Sequence, residues 1–207
     1  MAFHLHKKNN MVNYIKRVKV WRTDGMSSKR FLENDFVTAE EIRNVRKKLG
    51  LTQKEFSELT GCSKATVERW EREDGMARGP ISLLVRMLEQ YPEYVKMLEV
   101  PEKVFPIRMW YMYKNRRCTL IDVDEVRQLV RIKNYTENIM FQAFGSNSNP
   151  DFAEYQEFLK SRCFPETRDK IKLVLKDLDI PFYDPYLIIQ KTEGRMAEDD
   201  FWILIEK

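Results

Sequence analysis

The chain has 207 residues and a formal net charge of +4, and 43 % of its residues are apolar and 12 % aromatic. This length and composition predict one large or two small domains, each with a core of its own. No run of about eighteen apolar residues is present, so the sequence predicts no membrane-spanning helix. Lys7 and Lys8 are not followed by an apolar segment, which argues against a secretory signal.

The cysteine and histidine content argues against a metal site and against a histidine-dependent enzyme. Cys62, Cys118 and Cys163 are widely spaced and form no C-x-x-C pair, a pattern typical of reduced thiols in a cytoplasmic protein. His4 and His6 lie in a polar leader, which we expect to be disordered rather than metal-binding. We therefore expect no enzymatic activity, no cofactor and no metal.

Charge is distributed unevenly along the chain. Residues 1–34 contain eight Lys and Arg against two acidic residues, whereas residues 150–207 contain thirteen acidic residues against nine basic ones. This asymmetry predicts nucleic acid as the partner of the front part. The basic leader could add a minor-groove or phosphate contact, or it could be a solvated tail. Within it, Val12–Trp21 fits either a short strand or an amphipathic helix.

Helix-boundary signals divide residues 35–100 into five short helices. Two capping boxes, Thr38-x-x-Glu41 and Thr52-x-x-Glu55, predict the starts of the first two. The later starts are predicted at the N-cap Ser63, at Gly79–Pro80 and at Tyr91–Pro92.

The second and third helices have the pattern of a helix-turn-helix. It runs from Leu51 to Gly61 and continues from Cys62 to Glu71. With Val67 and Trp70 inward, the opposite side of the third helix can enter a major groove. The predicted base-reading residues are Ser63, Lys64, Ala65, Thr66 and Arg69. The predicted phosphate contacts are Arg43, Arg46, Lys47, Gln53 and Arg78.

Residues 39–90 resemble the Xre/Cro-repressor helix-turn-helix family. The Thr66-x-x-x-Trp70-Glu71 pattern, the Gly79–Pro80 helix start and the Leu83–Glu89 run resemble the DNA-binding half of MqsA- and HigA-type antitoxins. The resemblance implies a homodimer that binds a palindromic operator in double-stranded DNA and represses its own operon. MqsA-type proteins carry a zinc-binding cysteine cluster before this module, and this sequence has none there.

After Pro101 the apolar period changes from helical to alternating. Residues 107–113, 117–123 and 127–133 are predicted to form an antiparallel three-stranded meander, followed by several helices. One of these is predicted to have Pro165 in its first turn and another to start at Asp184–Pro185, and Phe201–Ile205 is predicted to be a buried strand or short helix. The predicted fold is therefore α+β: a leader at 1–34, an all-α helix-turn-helix domain at 35–100, and an α+β dimerisation or partner-binding domain at 101–207.

Candidate binding residues in the last domain each have two interpretations. Arg162 and Arg168 could hold a phosphate or carboxylate of a protein partner, or they could form ion pairs with Glu166, Asp169 or the Asp199–Asp200 pair.

The two other candidates are an acidic pair and an aromatic strand. Asp199 and Asp200 could serve metal or acid–base chemistry, although helix capping or a surface position fits them better. Trp110 and its aromatic neighbours could stack on single-stranded bases, or they could divide between the core and a dimer or partner surface.

The Arg162-x-x-Pro165-x-x-Arg168 pattern and the terminal Asp200-x-Trp202-Ile203 resemble the small N-terminal piece of HipA-type proteins, without the kinase half. This resemblance implies binding of a protein partner. The sequence as a whole predicts a sequence-specific repressor of a toxin–antitoxin or phage-like operon. The alternative is a toxin-neutralising or host-defence-blocking inhibitor whose DNA-binding domain only regulates its own level.

Overall fold

The computed structural model of the chain describes residues 36–72 and 74–206. The chain forms two compact units, which divide between Met87 and Leu88. This division lies before the fifth helix, whereas the sequence-based boundary lies after it, at residue 100. The leader predicted at 1–34 and the strand-or-helix alternative at Val12–Trp21 lie outside the described residues.

The first unit is built mainly from helices. These are α1 (Ala39–Lys48), α2 (Gln53–Thr60), α3 (Lys64–Trp70) and α4 (Pro80–Gln90), the last of which extends past Met87. The prediction of an all-α domain was incomplete, because β1 (Val37–Thr38) pairs antiparallel with β2 (Met76–Ala77). This pairing satisfies main-chain groups just before α1 and just after α3.

The predicted helix starts of the first unit are confirmed at the level of individual hydrogen bonds. Thr38 and Thr52 both form complete capping boxes, with Glu41 and Glu55 respectively. Gly61 adopts a φ of 66°, the left-handed conformation that ends α2 without steric cost. The inward side chains form the buried interior of the unit: Val37, Ala39, Ile42, Val45, Phe56, Val67, Ala77, Ile81 and Val85.

The second unit contains one antiparallel sheet with the strand order β5-β4-β3-β6. Its strands are β3 (Ile107–Tyr113), β4 (Arg116–Asp124), β5 (Leu129–Asn134) and β6 (Phe201–Glu206). The predicted meander β3–β4–β5 is present. The three-stranded prediction was too small, because the C-terminal apolar segment forms β6 and pairs with β3.

The helices of the second unit are α5 (Glu93–Leu98), α6 (Phe152–Ser161), α7 (Ile171–Asp177) and α8 (Pro185–Thr192), with a 3-10 turn at Ile139–Phe141. The Asp184 cap of α8 is confirmed, with Pro185 in its first turn. The prediction that Pro165 starts a helix was wrong. Lys170 adopts a φ of 58°, so α7 begins only after it.

The helix α5 is attached to the sheet by hydrogen bonds to main-chain carbonyls. Lys133 Nζ donates to the carbonyl oxygen of Lys96 at 3.4 Å and to that of Glu99 at 2.5 Å. Tyr135 Oη donates to the same Glu99 oxygen at 2.8 Å. These contacts satisfy carbonyls at the C-terminal end of α5 and place this helix in the second unit.

The two faces of the sheet carry different side chains. One face contributes to the main core of the unit, which includes Met109, Tyr111, Ile121, Val123, Tyr155, Phe158, Leu159, Ile188, Ile189 and Ile203. The other carries a smaller buried cluster of Trp110, Met112 and Leu120, with Tyr135, Trp202 and Leu204 packed against it. Among the described residues, no helix is long and apolar enough to cross a membrane.

Candidate nucleic-acid interface

The N-terminal end of α3 is fixed by hydroxyl groups. Ser63 Oγ accepts a hydrogen bond from the Thr66 amide at 3.2 Å and lies 2.9 Å from Thr66 Oγ1. Val67, in the next turn, is fully buried. The apolar side of this short helix therefore faces the interior of the first unit, and its polar side faces solvent.

The C-terminal end of α3 is held by Glu71, which contacts both preceding helices. Its carboxylate accepts hydrogen bonds from Arg46 Nε at 2.6 Å, Arg46 Nη2 at 2.9 Å and Gln53 Nε2 at 2.9 Å. Its main-chain oxygen accepts a further bond from Arg43 Nη2 at 2.5 Å. Glu71 is only 6 % exposed. These four bonds fix α3 relative to α1 and α2.

The Glu71 carboxylate is ionised because its donors outweigh its burial. Desolvation alone would raise the pKa of this carboxyl group. The hydrogen bonds from Arg46 and Gln53, and the charges of Arg46 and Arg43, lower it further than burial raises it. The net result is a pKa below the usual value of a glutamic acid. The same contact raises the pKa of Arg46.

The predicted base-reading residues lie together on the exposed side of α3. Ser63, Lys64, Ala65 and Arg69 are exposed, and Thr66 is half-buried. Lys64 Nζ lies 3.1 Å from Glu68 Oε1 in an exposed pair. Within the described ranges, the Arg69 guanidinium makes no hydrogen bond or ion pair. Arg69 therefore presents the most available donor group on this face.

The predicted phosphate contacts occupy two kinds of position. Lys47 and Arg78 are exposed, and Arg43 is half-buried with one nitrogen donating to Glu71. Arg46 and Gln53 point inward, and Arg46 Nη1 also donates to the Leu51 oxygen at 2.8 Å. This engagement argues against the phosphate contacts predicted for Arg46 and Gln53 and assigns both a structural role.

In the second unit, Arg162 is buried rather than available to a partner. It donates to both carboxylate oxygens of Asp199 at 2.7 and 3.0 Å. It also donates to the main-chain oxygens of Gly194 at 3.0 Å and Phe201 at 2.8 Å. The partner-binding prediction for Arg162 was wrong, because the guanidinium joins the end of α6 to the start of β6.

The acidic pair does not form a shared site. Asp199 pairs with Arg162. The hydrogen bonds from Arg162 and from the Phe201 amide, with the charge of Arg162, lower the pKa of Asp199 further than desolvation raises it, so this pKa lies below the usual value of an aspartic acid. Asp200 Oδ2 lies 3.3 Å from Lys114 Nζ. In the described part of the chain, no group of three or more side chains could hold a metal ion. Arg168 is exposed, with its guanidinium carbon 5.8 Å from the centroid of the Phe164 ring.

Trp110 is 1 % exposed. The prediction that it binds a partner or stacks on bases was therefore wrong. Its Nε1 donates to Glu206 Oε1 at 2.5 Å, and its ring packs against Tyr135 at 5.3 Å between centroids. The strand alternation could not show this burial, because the aromatic residues of β3 fall on both faces of the sheet and both faces are covered.

Sequence reasoning did not identify Glu71 as the organising residue of the first unit. Glu71 was part of the Trp70-Glu71 pattern, but its partners Arg46 and Gln53 precede it by 25 and 18 residues. The sequence did contain a signal for this role of Glu71. It is an acidic residue directly after an amphipathic helix, and an earlier helix carries an inward-facing arginine.

Comparison with known proteins gives one match, which covers part of the chain. The sequence model of MqsA, described as the antitoxin component of a bacterial toxin-antitoxin system, matches residues 10–99. Neither the curated proteins nor the solved structures gave a match. Residues 10–99 are therefore similar to an MqsA-type antitoxin, which supports an antitoxin family with a helix-turn-helix for this part of the chain, and residues 100–207 lie outside the match.

Proposed function

We propose that this chain is the antitoxin of a bacterial toxin–antitoxin pair and that its first unit binds operator DNA as a homodimer to repress its own operon. The proposal rests on one observation: α3 presents an exposed, partly basic face while Glu71 fixes its other end to α1 and α2. The match of residues 10–99 to the MqsA antitoxin supports it. In a dimer, two copies of α3 would enter successive major grooves, with half-sites about 34 Å apart.

Within α3, Arg69 and Ala65 are the best candidates for direct base reading. They lie four residues apart, which is about one helical turn, so both face the same side of the helix. An exposed arginine can donate to O6 and N7 of guanine, and a small exposed methyl group can contact the methyl group of thymine. We therefore expect each half-site to contain a guanine close to a thymine.

Direct base contacts are less favoured for the three other residues of this face, Ser63, Lys64 and Thr66. The Ser63 and Thr66 hydroxyl groups already hydrogen-bond one another. Lys64 is paired with Glu68, but both side chains are about half exposed and such a pair costs little to break. Lys64 can therefore reach a phosphate or a base edge, whereas the hydroxyl pair mainly stabilises the start of the helix.

Phosphate contacts would come from the exposed cations around α3. Lys47 and Arg78 are exposed, and Arg43 retains donors beyond the one that bonds to Glu71. Such contacts set affinity and orientation without reading sequence. Removing one of them should weaken binding to every duplex alike.

The test is selection of DNA sequences bound by the full chain, followed by binding to the selected operator. Arg69→Ala should reduce affinity for the operator by about 10- to 100-fold and relax base preference at one position, whereas Lys47→Ala should weaken all sequences alike. Replacing the critical guanine with 7-deazaguanine, which lacks N7, should weaken the wild-type chain but not Arg69→Ala. Replacing the thymine with uracil, which lacks the methyl group, tests the contact assigned to Ala65 and should weaken binding of the wild-type chain.

Arg168→Ala, which removes an exposed arginine of the second unit, serves as the matched control. Equal losses on operator and random DNA for Arg69→Ala would contradict the role assigned to Arg69. If the wild-type chain shows no preference over scrambled competitor at moderate salt, the proposed function itself is wrong.

The second candidate function is neutralisation of a protein by the second unit, with DNA binding only regulating the level of the chain. It is favoured by large apolar side chains that this unit leaves in solvent, notably Val126 at 95 % and Met140 at 76 % exposure. The test is co-purification of the wild-type chain with the product of the neighbouring gene. A stoichiometric complex that is lost in Val126→Glu or Met140→Glu, while operator binding is retained, would support this function.

A further inference from the structure

The strand β5 lies at one border of the four-stranded sheet, and among residues 36–72 and 74–206 no strand pairs with its outer side. Its inner side pairs antiparallel with β4, where Leu120 is opposite Lys133. The Tyr135 amide donates to the Cys118 oxygen at 2.8 Å, so these two residues form a hydrogen-bonded pair. Such pairs alternate with non-bonded pairs along an antiparallel ladder. Arg131 and Lys133 therefore direct their main-chain groups towards β4.

The residues that alternate with these two direct their main-chain groups away from the sheet. They are Val130, Ile132 and Asn134, and each carries one outward N–H group and one outward C=O group. Within the described part of the chain, none of these groups makes a hydrogen bond. All three residues are only half-buried. The strand β5 therefore presents an open edge, to which another strand can add.

The side chains of Arg131 and Lys133 give this edge a positive charge on one face of the sheet. Arg131 is exposed, and Lys133 Nζ donates only to two main-chain oxygens at the end of α5. Asp122 lies opposite Arg131 on β4, but its carboxylate pairs with Arg108. In the described ranges, neither Arg131 nor Lys133 has a carboxylate within ion-pair distance. Two cations without an acidic partner thus lie at alternate positions along β5.

These charges oppose pairing of β5 with the same strand of a second copy. When two copies of β5 overlap fully in an antiparallel pair, Arg131 of one lies opposite Lys133 of the other. Shifting the register by two residues in either direction places Arg131 opposite Arg131 or Lys133 opposite Lys133. Like charges directly opposite each other are destabilising in a sheet. A second copy of the chain is therefore disfavoured as the occupant of this edge.

The same arrangement favours a strand with acidic residues at every second position. Carboxylates suit the positions opposite Arg131 and Lys133, because cross-strand pairs of opposite charge stabilise a sheet. Apolar residues suit the positions opposite Val130 and Ile132, because these two side chains pack against the main core of the unit. The edge thus fits an extended segment in which acidic and β-branched apolar residues alternate.

We propose that the open edge of β5 binds such an extended, acidic segment of a partner protein, which adds a fifth strand to the sheet. Main-chain hydrogen bonds supply the affinity, and the alternating side chains supply the selectivity. A polypeptide strand offers both donors and acceptors to the outward groups, whereas the phosphates of a nucleic acid only accept. The inference goes beyond the proposed DNA binding by α3, which does not use this edge. In the second candidate function, the neutralised protein would supply the segment.

The first test measures binding of a synthetic peptide, in which glutamate alternates with valine, to the full chain by titration calorimetry. N-methylation of the valine amides, which face β5 in the proposed pairing, should weaken binding about tenfold or more because main-chain hydrogen bonds are lost. N-methylation of the glutamate amides, which face away, should leave the affinity unchanged. A peptide in which lysine alternates with valine should bind at least about tenfold more weakly than the glutamate peptide.

Variants of β5 separate the contribution of charge from that of the main chain. Arg131→Glu should weaken binding of the glutamate peptide and narrow its advantage over the lysine peptide. Val130→Pro removes one outward N–H group, a change that an edge strand tolerates, and should weaken binding of the glutamate peptide several-fold. Val130→Ala is the matched control, because it shortens the same side chain but keeps the N–H group, and it should bind nearly as well as the wild-type chain.

Amide hydrogen exchange, followed by NMR, tests the edge in a way that does not depend on any variant. In the free chain, the amides of Arg131 and Lys133 should exchange more slowly than those of Val130 and Ile132, because only the former are bonded to β4. Addition of the glutamate peptide should slow exchange at Val130 and Ile132.

The inference is overturned if the glutamate peptide does not bind, or if both patterns of N-methylation weaken its binding equally. Equal affinities of Val130→Pro and Val130→Ala would also contradict it. Slower exchange at Val130 and Ile132 with duplex DNA, but not with the peptide, would assign the edge to nucleic acid instead. The peptide measurements use no DNA, whereas the proposed function is judged by operator preference, so the two can fail separately.

Discussion

The guanidinium of Arg46 on α1 donates two hydrogen bonds to the carboxylate of Glu71 at the end of α3, at 2.6 and 2.9 Å. The two side chains are 13 % and 4 % exposed. Neither residue can therefore exchange its partner for water without a rearrangement of the first unit. The position of the proposed recognition helix depends on an interaction that makes no contact with DNA.

Glu71→Ala should destabilise the first unit by about 3–5 kcal/mol, because it leaves the charge of Arg46 buried without its carboxylate partner. The free energy of unfolding can be measured by urea titration followed by circular dichroism. Glu68→Ala removes an acidic side chain from the exposed side of α3 and should change stability by less than about 1 kcal/mol. Similar small effects for both variants would show that the buried pair does not stabilise α3.

The same carboxylate predicts a dependence of stability on pH. Its pKa in the folded chain lies below 4.5, the ordinary value for glutamic acid. The stabilisation is therefore fully present above that value and is lost as the pH falls through the folded-state pKa. Urea midpoints measured from about pH 7 to about pH 3 should fall less steeply for Glu71→Gln than for the wild-type chain. If the urea midpoints of Glu71→Gln and of the wild-type chain fall equally steeply with pH, other carboxylates determine the loss of stability in acid.

Arg162→Ala should destabilise the second unit by about 3 kcal/mol, because four hydrogen bonds are lost and Asp199 is left without its partner. Arg162→Lys should recover only part of this loss, since an ammonium group cannot donate in the bidentate geometry of a guanidinium. Thermal unfolding of the full chain provides the measurement. The exposed Arg168→Ala is the comparison and should be nearly neutral.

Tyr155→Phe is expected to stabilise the second unit by about 1 kcal/mol. The Tyr155 hydroxyl is fully buried and has no hydrogen-bond partner among residues 36–72 and 74–206, and removing an unsatisfied buried polar group abolishes its desolvation cost. Tyr183→Phe tests the opposite case, because the Tyr183 hydroxyl donates to the Phe164 oxygen at 2.9 Å and its loss should cost about 1 kcal/mol. Destabilisation by Tyr155→Phe would indicate that a water molecule satisfies this hydroxyl.

Local features of the fold could be predicted from the sequence because a few adjacent residues determine them. The capping boxes at Thr38 and Thr52 and the cap at Asp184 each depend on contacts over three residues, and all three are present. The exposed side of α3 followed in the same way from the helical spacing of Val67 and Trp70.

Features that depend on distant residues could not be predicted. The Trp110–Glu206 hydrogen bond joins residues 96 positions apart, and the pairing of β6 with β3 spans a similar distance. Arg46 had the same exposed-cation pattern as Lys47, and only its contact with Glu71 distinguishes them. Periodicity indicates which side of an element is polar, but not which polar side chain another element will bind.

Two main-chain groups of the edge strand β6 are hydrogen-bonded outside the sheet. The Ile203 amide donates to the Glu193 oxygen at 2.7 Å, and the Phe201 oxygen accepts from Arg162. A terminal strand with free main-chain groups would be a template for addition of a strand from another molecule. Here the Glu193 oxygen at the C-terminal end of α8 and the Arg162 guanidinium bind two of those groups, so addition of another strand is opposed along this part of β6. Arg162, which holds the start of β6 in place, thus also opposes edge-to-edge pairing of this strand with the same strand of another copy.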